Sequence, residues 1–294
     1  MHSKNSVYKK EYWIAKGSDK LLAYYTGPPL RDSLDAGDIK AFLKEYGALG
    51  AMWNYDHDYC DNGPWYRCIC DTVGYDESKI ESKNARHNLH RGLKRCAVRE
   101  VDYSLLAEHA YPVYLKAASR FKNFKIESKE QFRRQLQSYA GDPHRTAFGV
   151  FVDETLVAYV ILFICEKTVF GDIAHFDPAF ANAYPMYALY YTIARHYLGM
   201  GYKEFDRGTR PLLHKTNVDD FLLRLGYRLS YCRLGLYFTW PIRVLLGMAR
   251  ICRRAYMLVL PSRYCVILDG LLLAQDIARA SDMKLPKVNK DITP

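Results

Sequence analysis

Apolar runs separated by short polar pairs mark the middle of this chain. Thr146 to Val152 (TAFGVFV), Thr155 to Cys165 (TLVAYVILFIC) and Thr168 to Phe176 (TVFGDIAHF) are rich in β-branched and aromatic residues. Asp153-Glu154 and Glu166-Lys167 divide them. Runs of this length and makeup predict three consecutive antiparallel strands. Asp177-Pro178 ends the third, because proline cannot donate to a ladder and forces the preceding residue into an extended form. From Tyr184 to Gly199 the period changes: Met186, Leu189, Tyr190, Ile193 and Tyr197 recur at three and four, which predicts a helix with one buried face. A short strand over Tyr202 to Asp206, a short helix over Val218 to Leu225 and a last strand over Arg228 to Phe238 follow.

The flanks carry weaker patterns. Upstream, Ala97 to Val101 suits a strand, and Tyr103 to Arg120 a helix that Pro112 kinks or splits. Ser128 to Tyr139 is a helix whose Ser128 and Gln131 have capping-box spacing. Near the start, Tyr12 to Ala15 suits a strand and Ala36 to Tyr46 a helix with Ile39, Phe42 and Leu43 on one face. Ala51 to Tyr59 and Trp65 to Thr72 are strand candidates joined by the turn signal Asp61-Asn62-Gly63-Pro64. Residues 79 to 95 carry a thin apolar stripe, Ala85, Leu89 and Leu93. Around it, Lys79, Lys83, Arg86, Arg91, Lys94 and Arg95 oppose Glu81, a local net of 6 − 1 = +5. Such a helix is either a solvated face or a site for anions. Beyond Phe238, Trp240 to Leu260 and Arg263 to Ala280 predict two helices split at Pro261, followed by a polar tail over Met283 to Pro294. This pair is a hairpin packed on the core or a basic amphipathic segment lying on a membrane surface.

Composition narrows the partners. With 294 residues and 49% hydrophobic content the chain can bury a substantial core. Its net charge of +10 favours anionic partners: nucleic acid, lipid headgroups or phosphate-bearing donors. The 25 tyrosines suit either a tyrosine-rich core or a half-wet cleft. No secretory leader is recognised at the start, no apolar span reaches membrane length, and the eight cysteines suit free thiols in a reducing cytoplasm. His57, Cys60, Cys68 and Cys70 lack zinc-knuckle spacing, and no P-loop, Rossmann glycine motif or Ser-His-Asp signature is present.

Taken in order, Ala97 to Phe238 gives β-α-α-β-β-β-α-β-α-β, which resembles the Gcn5-related N-acetyltransferase (GNAT) fold over about half the chain. The basic helix before the first strand and the segment Gly208 to Asn217 (GTRPLLHKTN), ahead of Phe221-Leu222 and Gly226-Tyr227-Arg228, are more similar to its FemAB-like branch. The resemblance implies an α+β class with a mixed central sheet flanked by helices, plus a C-terminal helical extension. It divides the chain into an N-terminal region over 1–95, a GNAT-like domain over 96–239 and an extension over 240–294. Relatives with two such modules are common, so 1–95 would be a reduced copy or an unrelated extension. The resemblance further implies transfer of an acyl or aminoacyl group to an amine, often on cell-surface polymers or peptides. Acetyl-CoA-using members carry a Gly-rich turn whose amides hold the pyrophosphate at a helix N-terminus. Here Asp177 to Pro185 has neither glycine nor arginine, so the donor is acyl-CoA bound otherwise, an aminoacyl-tRNA or an acyl carrier protein.

Amine acylation needs a base, oxyanion donors and a proton for the leaving atom. In the family the cleft lies where the fourth and fifth sheet strands splay, which points to the ends of Thr168–Phe176 and Tyr202–Asp206. His175 is the first candidate for the base, with Asp177 on the same face and His214 as the other candidates. A hydrogen-bonded structural histidine is the alternative for His175. Arg207, Arg210, Thr216 and Asn217, with Arg91 and Lys94 of the basic helix, are the candidates for holding donor or acceptor. Asp206 and Arg210 would equally suit a pair that only holds the loop. The reading from another class is a non-catalytic protein of the same fold that binds RNA or another anionic polymer through the basic helix. A cytoplasmic location, with peripheral membrane contact through 240–280, is compatible with both.

Overall fold

The computed structural model describes residues 7–16, 22–27, 29–120, 126–210, 217–252, 257 and 260–282. Its strands in chain order are β1 (Trp13–Lys16), β2 (Leu22–Tyr25), β3 (Gly50–Tyr55), β4 (Tyr66–Cys70), β5 (Ala97–Val101) and β6 (Arg145–Val152). They continue with β7 (Thr155–Cys165), β8 (Thr168–Phe176), β9 (Glu204–Thr209), β10 (Arg228–Tyr231) and β11 (Arg233–Phe238). The helices are α1 (Ala36–Tyr46), α2 (Lys83–Arg95), α3 (Tyr103–His109), α4 (Tyr111–Ala118) and α5 (Lys129–Tyr139). After them come α6 (Pro185–Gly199), α7 (Val218–Arg224), α8 (Trp240–Ile251) and α9 (Ser262–Asp282). The strands form two sheets, ordered β1-β2-β3-β11 and β10-β4-β9-β8-β7-β6-β5. By contacts the chain divides into two units, one of Met1–Arg67, Thr209–Thr216 and Leu229–Pro294, the other of Cys68–Gly208 and Asn217–Arg228.

The second unit is built on the predicted meander. β5, β6, β7 and β8 pair antiparallel in sequence order. Asp153 and Glu154 both take positive φ, 46° and 62°, which gives the β6–β7 hairpin a turn whose twist matches its strands. β7 is buried along nearly its whole length because both faces are covered. Tyr159 and Ile161 pack on one side with Leu106, Val113, Tyr114 and Phe132 of α3, α4 and α5. On the other side α6 lies over β5 to β8 and buries Ala188, Leu189, Ile193 and Tyr197.

Local signals set the helix ends. The stretch that Pro112 is expected to kink or split is split into α3 and α4, with Ala110 between them. Ser128 and Gln131 form the expected capping box of α5. The basic helix begins at Lys83 rather than Lys79: Ser82 caps it, and buried Ile80 is extended.

In the first unit β3 pairs antiparallel with β11 from Arg233↔Tyr55 to Phe238↔Gly50, and parallel with β2. Residues near both ends of the sequence therefore share one sheet. The expected single strand over Arg228 to Phe238 is two strands in different sheets. Cys232 separates them: it is buried, and its N–H donates to the Trp65 carbonyl at 3.2 Å, so the chain leaves one ladder there and joins another. α8 and α9 close this unit over Phe238, through Leu246, Ala249, Leu268 and Leu272.

Candidate active site

The site forms where the parallel pair β8–β9 ends. These strands are in register at Thr168↔Glu204, Val169↔Phe205 and Phe170↔Asp206, and the register pairs stop there. β8 continues along β7 to Phe176. At the divergence β8 carries a bulge: Ile161 pairs with Ile173 and Leu162 with Gly171, so Asp172 is the extra residue of β8. Its carboxylate accepts from Arg145 Nη1 at 2.9 Å. On the other side Gly171 lies against β9; a Cβ there would make ordinary contact, 3.6 Å from Phe205 and 3.8 Å from Arg207 Cα.

Past the bulge, His175 sits on β8 and Arg207 on β9. The His175 ring lies 5.5 Å from the ring centres of both Tyr114 and Tyr159, on the side covered by α4. Arg207 leans on α6, its guanidinium 5.7 Å from the centre of the Tyr190 ring. The two basic groups are thus held against opposite layers, and the gap between the strands leaves them within electrostatic reach. Burial, with the Arg207 charge added, lowers the His175 pKa from 6.5 to about 4, so its imidazole is neutral at physiological pH. The neighbouring Tyr190 hydroxyl keeps the Arg207 guanidinium firmly charged despite burial. The guanidinium and the Tyr190 hydroxyl interact, but the Nε of Arg207 is itself buried without a hydrogen-bond partner. A buried guanidinium N–H left unsatisfied is a strong draw for an anionic or carbonyl oxygen. Nearby Cys68 is no nucleophile, since burial pushes its thiol up to about 12.

The other predicted residues fare differently. Asp177 is buried; one carboxylate oxygen accepts from Lys116 Nζ at 2.6 Å and the other from the Ala179 N–H at 3.0 Å, so it caps the 3-10 turn Pro178–Ala183. Asn217 is exposed at the start of α7 and makes no side-chain cap bond. Arg210 belongs to the first unit, where Nη1 donates to the Pro64 carbonyl at 2.8 Å, while Asp206 accepts from the Gly208 N–H at 2.7 Å. His214 and Thr216 lie outside the described residues. Tyr114, Tyr159, Tyr190 and Lys116 escaped the sequence reading; tyrosine abundance was the available sign, and it does not single out positions.

The basic helix is partly committed to structure. Arg91 Nη1 donates to the Tyr184 hydroxyl at 3.1 Å, Arg95 Nη1 donates to the Asn182 carbonyl at 2.8 Å, and Arg86 donates to the carbonyl of Ile80. Lys94 remains exposed. Gly92 lies against the same connection: a Cβ there would stand 2.8 Å from the Tyr184 carbonyl oxygen. Tyr184 itself is left-handed, at φ 59° and ψ 41°, a costly state for a tyrosine that α2 holds in place. Gly92→Ala is therefore expected to destabilise the protein, although alanine is the better helix former by about 1 kcal/mol. The backbone clash costs about 1–3 kcal/mol, and the midpoint of urea unfolding should fall.

Several amides of this connection, where a diphosphate cradle is expected of an acyl-CoA site, are already engaged. The N–H groups of Ala179, Phe180 and Tyr184 donate to Asp177 Oδ1, the Asp177 carbonyl and the Ala181 carbonyl. Pro185 opens α6 without an N–H. Tyr187 and Ala188 turn theirs to the Tyr184 carbonyl.

Residues 83–216 match the family model described as an acetyltransferase (GNAT) domain. Comparison with curated protein sequences gives no match. Among solved structures, that of FemX aligns with a TM-score of 0.53 at 12% identity, covering 83% of this chain and 93% of that one. L-PGS from Bacillus licheniformis aligns at 0.46 and 12% identity over 89% and 84% of the two chains. The PaiA N-acetyltransferase of Thermoplasma acidophilum, solved with coenzyme A, aligns at 0.29 and 17% identity over 36% and 74%. At these identities the likeness is one of fold, and of the three it is FemX that carries it.

Proposed function

We propose that this chain, whose residues 83–216 make up a GNAT acetyltransferase domain, transfers an acyl or aminoacyl group to an amine in the gap between β8 and β9. The observation that supports this most directly is a neutral His175 within electrostatic reach of the charged Arg207, on the two strands that part here. The acceptor nitrogen attacks the donor carbonyl carbon, and its proton passes to the His175 imidazole. Arg207 faces the negative charge that develops on the carbonyl oxygen. The bond from carbon to the leaving sulfur or oxygen then breaks, and that atom takes a proton from the imidazolium or from water. A conjugate acid near pH 4 makes His175 a weak base toward a free ammonium ion. It is adequate for the N-protonated tetrahedral intermediate, which is far more acidic than its parent amine.

The engaged amides of the β8–α6 connection weigh against a diphosphate bound in the usual way. They leave an aminoacyl-tRNA, an acyl carrier protein or a CoA held by other groups as donor. A cell-surface precursor or a peptide amine is the acceptor class most consistent with the FemX-like fold. Binding to RNA or another anionic polymer without catalysis draws on the same helix α2, but three of its arginines are already spent on protein oxygens.

Equilibrium binding of acyl-CoA, aminoacyl-tRNA and acyl carrier protein, followed by an amine-transfer assay with whichever binds, tests the reading. Lys94→Glu should weaken donor binding and reduce its salt slope by about 1–2. Equal affinity for charged and uncharged tRNA, with no transfer from any donor, would favour the binding protein instead.

A further inference from the structure

The outer face of α8 has no counterpart in the transfer chemistry. Its inner face, Leu246 and Ala249, is buried against Phe238, Cys265, Leu268 and Leu272. On the opposite side Trp240, Val244, Met248 and Ile251 recur at spacings of four, four and three, with Leu245 beside them. All are exposed, Trp240 by 69%, Met248 by 56% and Ile251 by 86%. Leu49, also exposed, extends the stripe, because its carbonyl accepts the Thr239 N–H at 2.9 Å just before the helix. A helix apolar on two opposite faces has one more surface to cover than the core supplies.

The charge around this stripe indicates what covers it. From Thr239 to Leu268 there is no aspartate or glutamate, while Arg243, Arg250, Arg253, Arg254 and Arg263 lie in the same segment. Arg243 is exposed, and Arg250 reaches across to Asp276 at 2.7 Å. A second copy of the chain would bring an arginine-rich, acid-free segment against itself. The chain's own last residues carry Lys284, Lys287 and Lys290 and would meet the same repulsion. Among the described residues no helix is long and apolar enough to cross a membrane, so the stripe suits a surface contact rather than a span. We propose that α8 docks on an anionic lipid surface, with its outer stripe at the headgroup boundary and Arg243 among the phosphates. This holds whether or not the domain over 83–216 transfers acyl groups.

The protein carries its own reporter. Of four tryptophans, Trp13, Trp53 and Trp65 are buried and Trp240 is exposed, so a change in emission on adding lipid reads Trp240. The full chain would be mixed with vesicles of phosphatidylcholine alone and of phosphatidylcholine with phosphatidylglycerol, followed by flotation and tryptophan emission. Flotation with the anionic vesicles, a blue shift and weaker binding to neutral ones are expected. Arg243→Glu should lower the anionic-vesicle partition on the order of tenfold, since each basic residue near such a surface adds about 1 kcal/mol. The pair Met248→Ser and Ile251→Ser, both at exposed positions, should lose binding with folding intact by circular dichroism. Absence of flotation with either vesicle at low salt would overturn the proposal without any variant. So would concentration-dependent dimers with Trp240 emission unmoved by lipid, or flotation undiminished in the Met248/Ile251 variant.

Discussion

Replacing His175 by glutamine is expected to lower turnover by about 10²–10⁴-fold while donor affinity stays nearly constant. Glutamine fills most of the space between Tyr114 and Tyr159 but cannot take a proton. Single-turnover rates and donor binding, measured side by side once a donor is identified, separate the two effects. The pH dependence gives a second reading. With a pKa of about 4 the base stays neutral across the physiological range, so His175 introduces no loss of rate between pH 7 and pH 5. Stability behaves differently. The unfolded chain protonates this histidine near 6.5, while the folded site resists until about 4, so the unfolded state binds more protons throughout that window. Stability should therefore fall as pH drops from 6.5 to 4, by at most about 3 kcal/mol from this group, and His175→Gln should remove that part of the decline. Undiminished turnover in the variant would rule His175 out. Asp177 is a poor replacement because Lys116 and the Ala179 N–H already hold it, so the assignment would pass to His214.

The parts of this fold that were legible in the sequence are those fixed by neighbours in the chain. The β6–β7–β8 meander follows from dense β-branched runs with polar pairs between them, the break between α3 and α4 from Pro112, and the cap of α5 from Ser128 and Gln131. What escaped depends on residues far apart. The pairing of β3 with β11 joins Tyr55 to Arg233, and no local pattern in either strand names the other. Arg228 to Phe238 is uniformly strand-like, so the change of sheet at Cys232 is invisible until Trp65 supplies the acceptor. The basic residues of α2 are alike in sequence, yet Arg91 and Arg95 are bound to Tyr184 and Asn182 while Lys94 is exposed. At the candidate site, alternation along β8 placed His175 and Asp177 on one face. It could not show that Lys116 of α4 would claim the carboxylate while the imidazole lies between Tyr114 and Tyr159.

Asp172→Ala is expected to cost about 3 kcal/mol of stability, and activity with it. The Arg145 and Asp172 side chains are 9% and 8% exposed, and their contact of 2.9 Å is a buried ion pair. Arg145 also meets Asp142 at 3.3 Å and lies over the Tyr139 ring at 4.2 Å, so it is fixed in place before Asp172 reaches it. Removing the carboxylate leaves a buried guanidinium with half its compensation, and this sets the size of the loss. Removing both charges should hurt less than the sum of the single changes: Arg145→Leu with Asp172→Ala is expected to recover part of the loss, as a coupled pair does. The functional consequence comes from where Asp172 stands. It is the extra residue of the β8 bulge, and the bulge sets the phase of every side chain between it and Phe176. A strand that relaxes by one residue turns His175 from the α4 side to the other face and away from its two tyrosines. Urea unfolding of the single and double variants measures the coupling, and the chemical shifts of the His175 ring follow the phase of the strand. An Asp172→Ala protein with an unchanged unfolding midpoint would show that Asp142 alone suffices for Arg145. Unchanged His175 shifts in a destabilised variant would show that the bulge keeps its register without the ion pair.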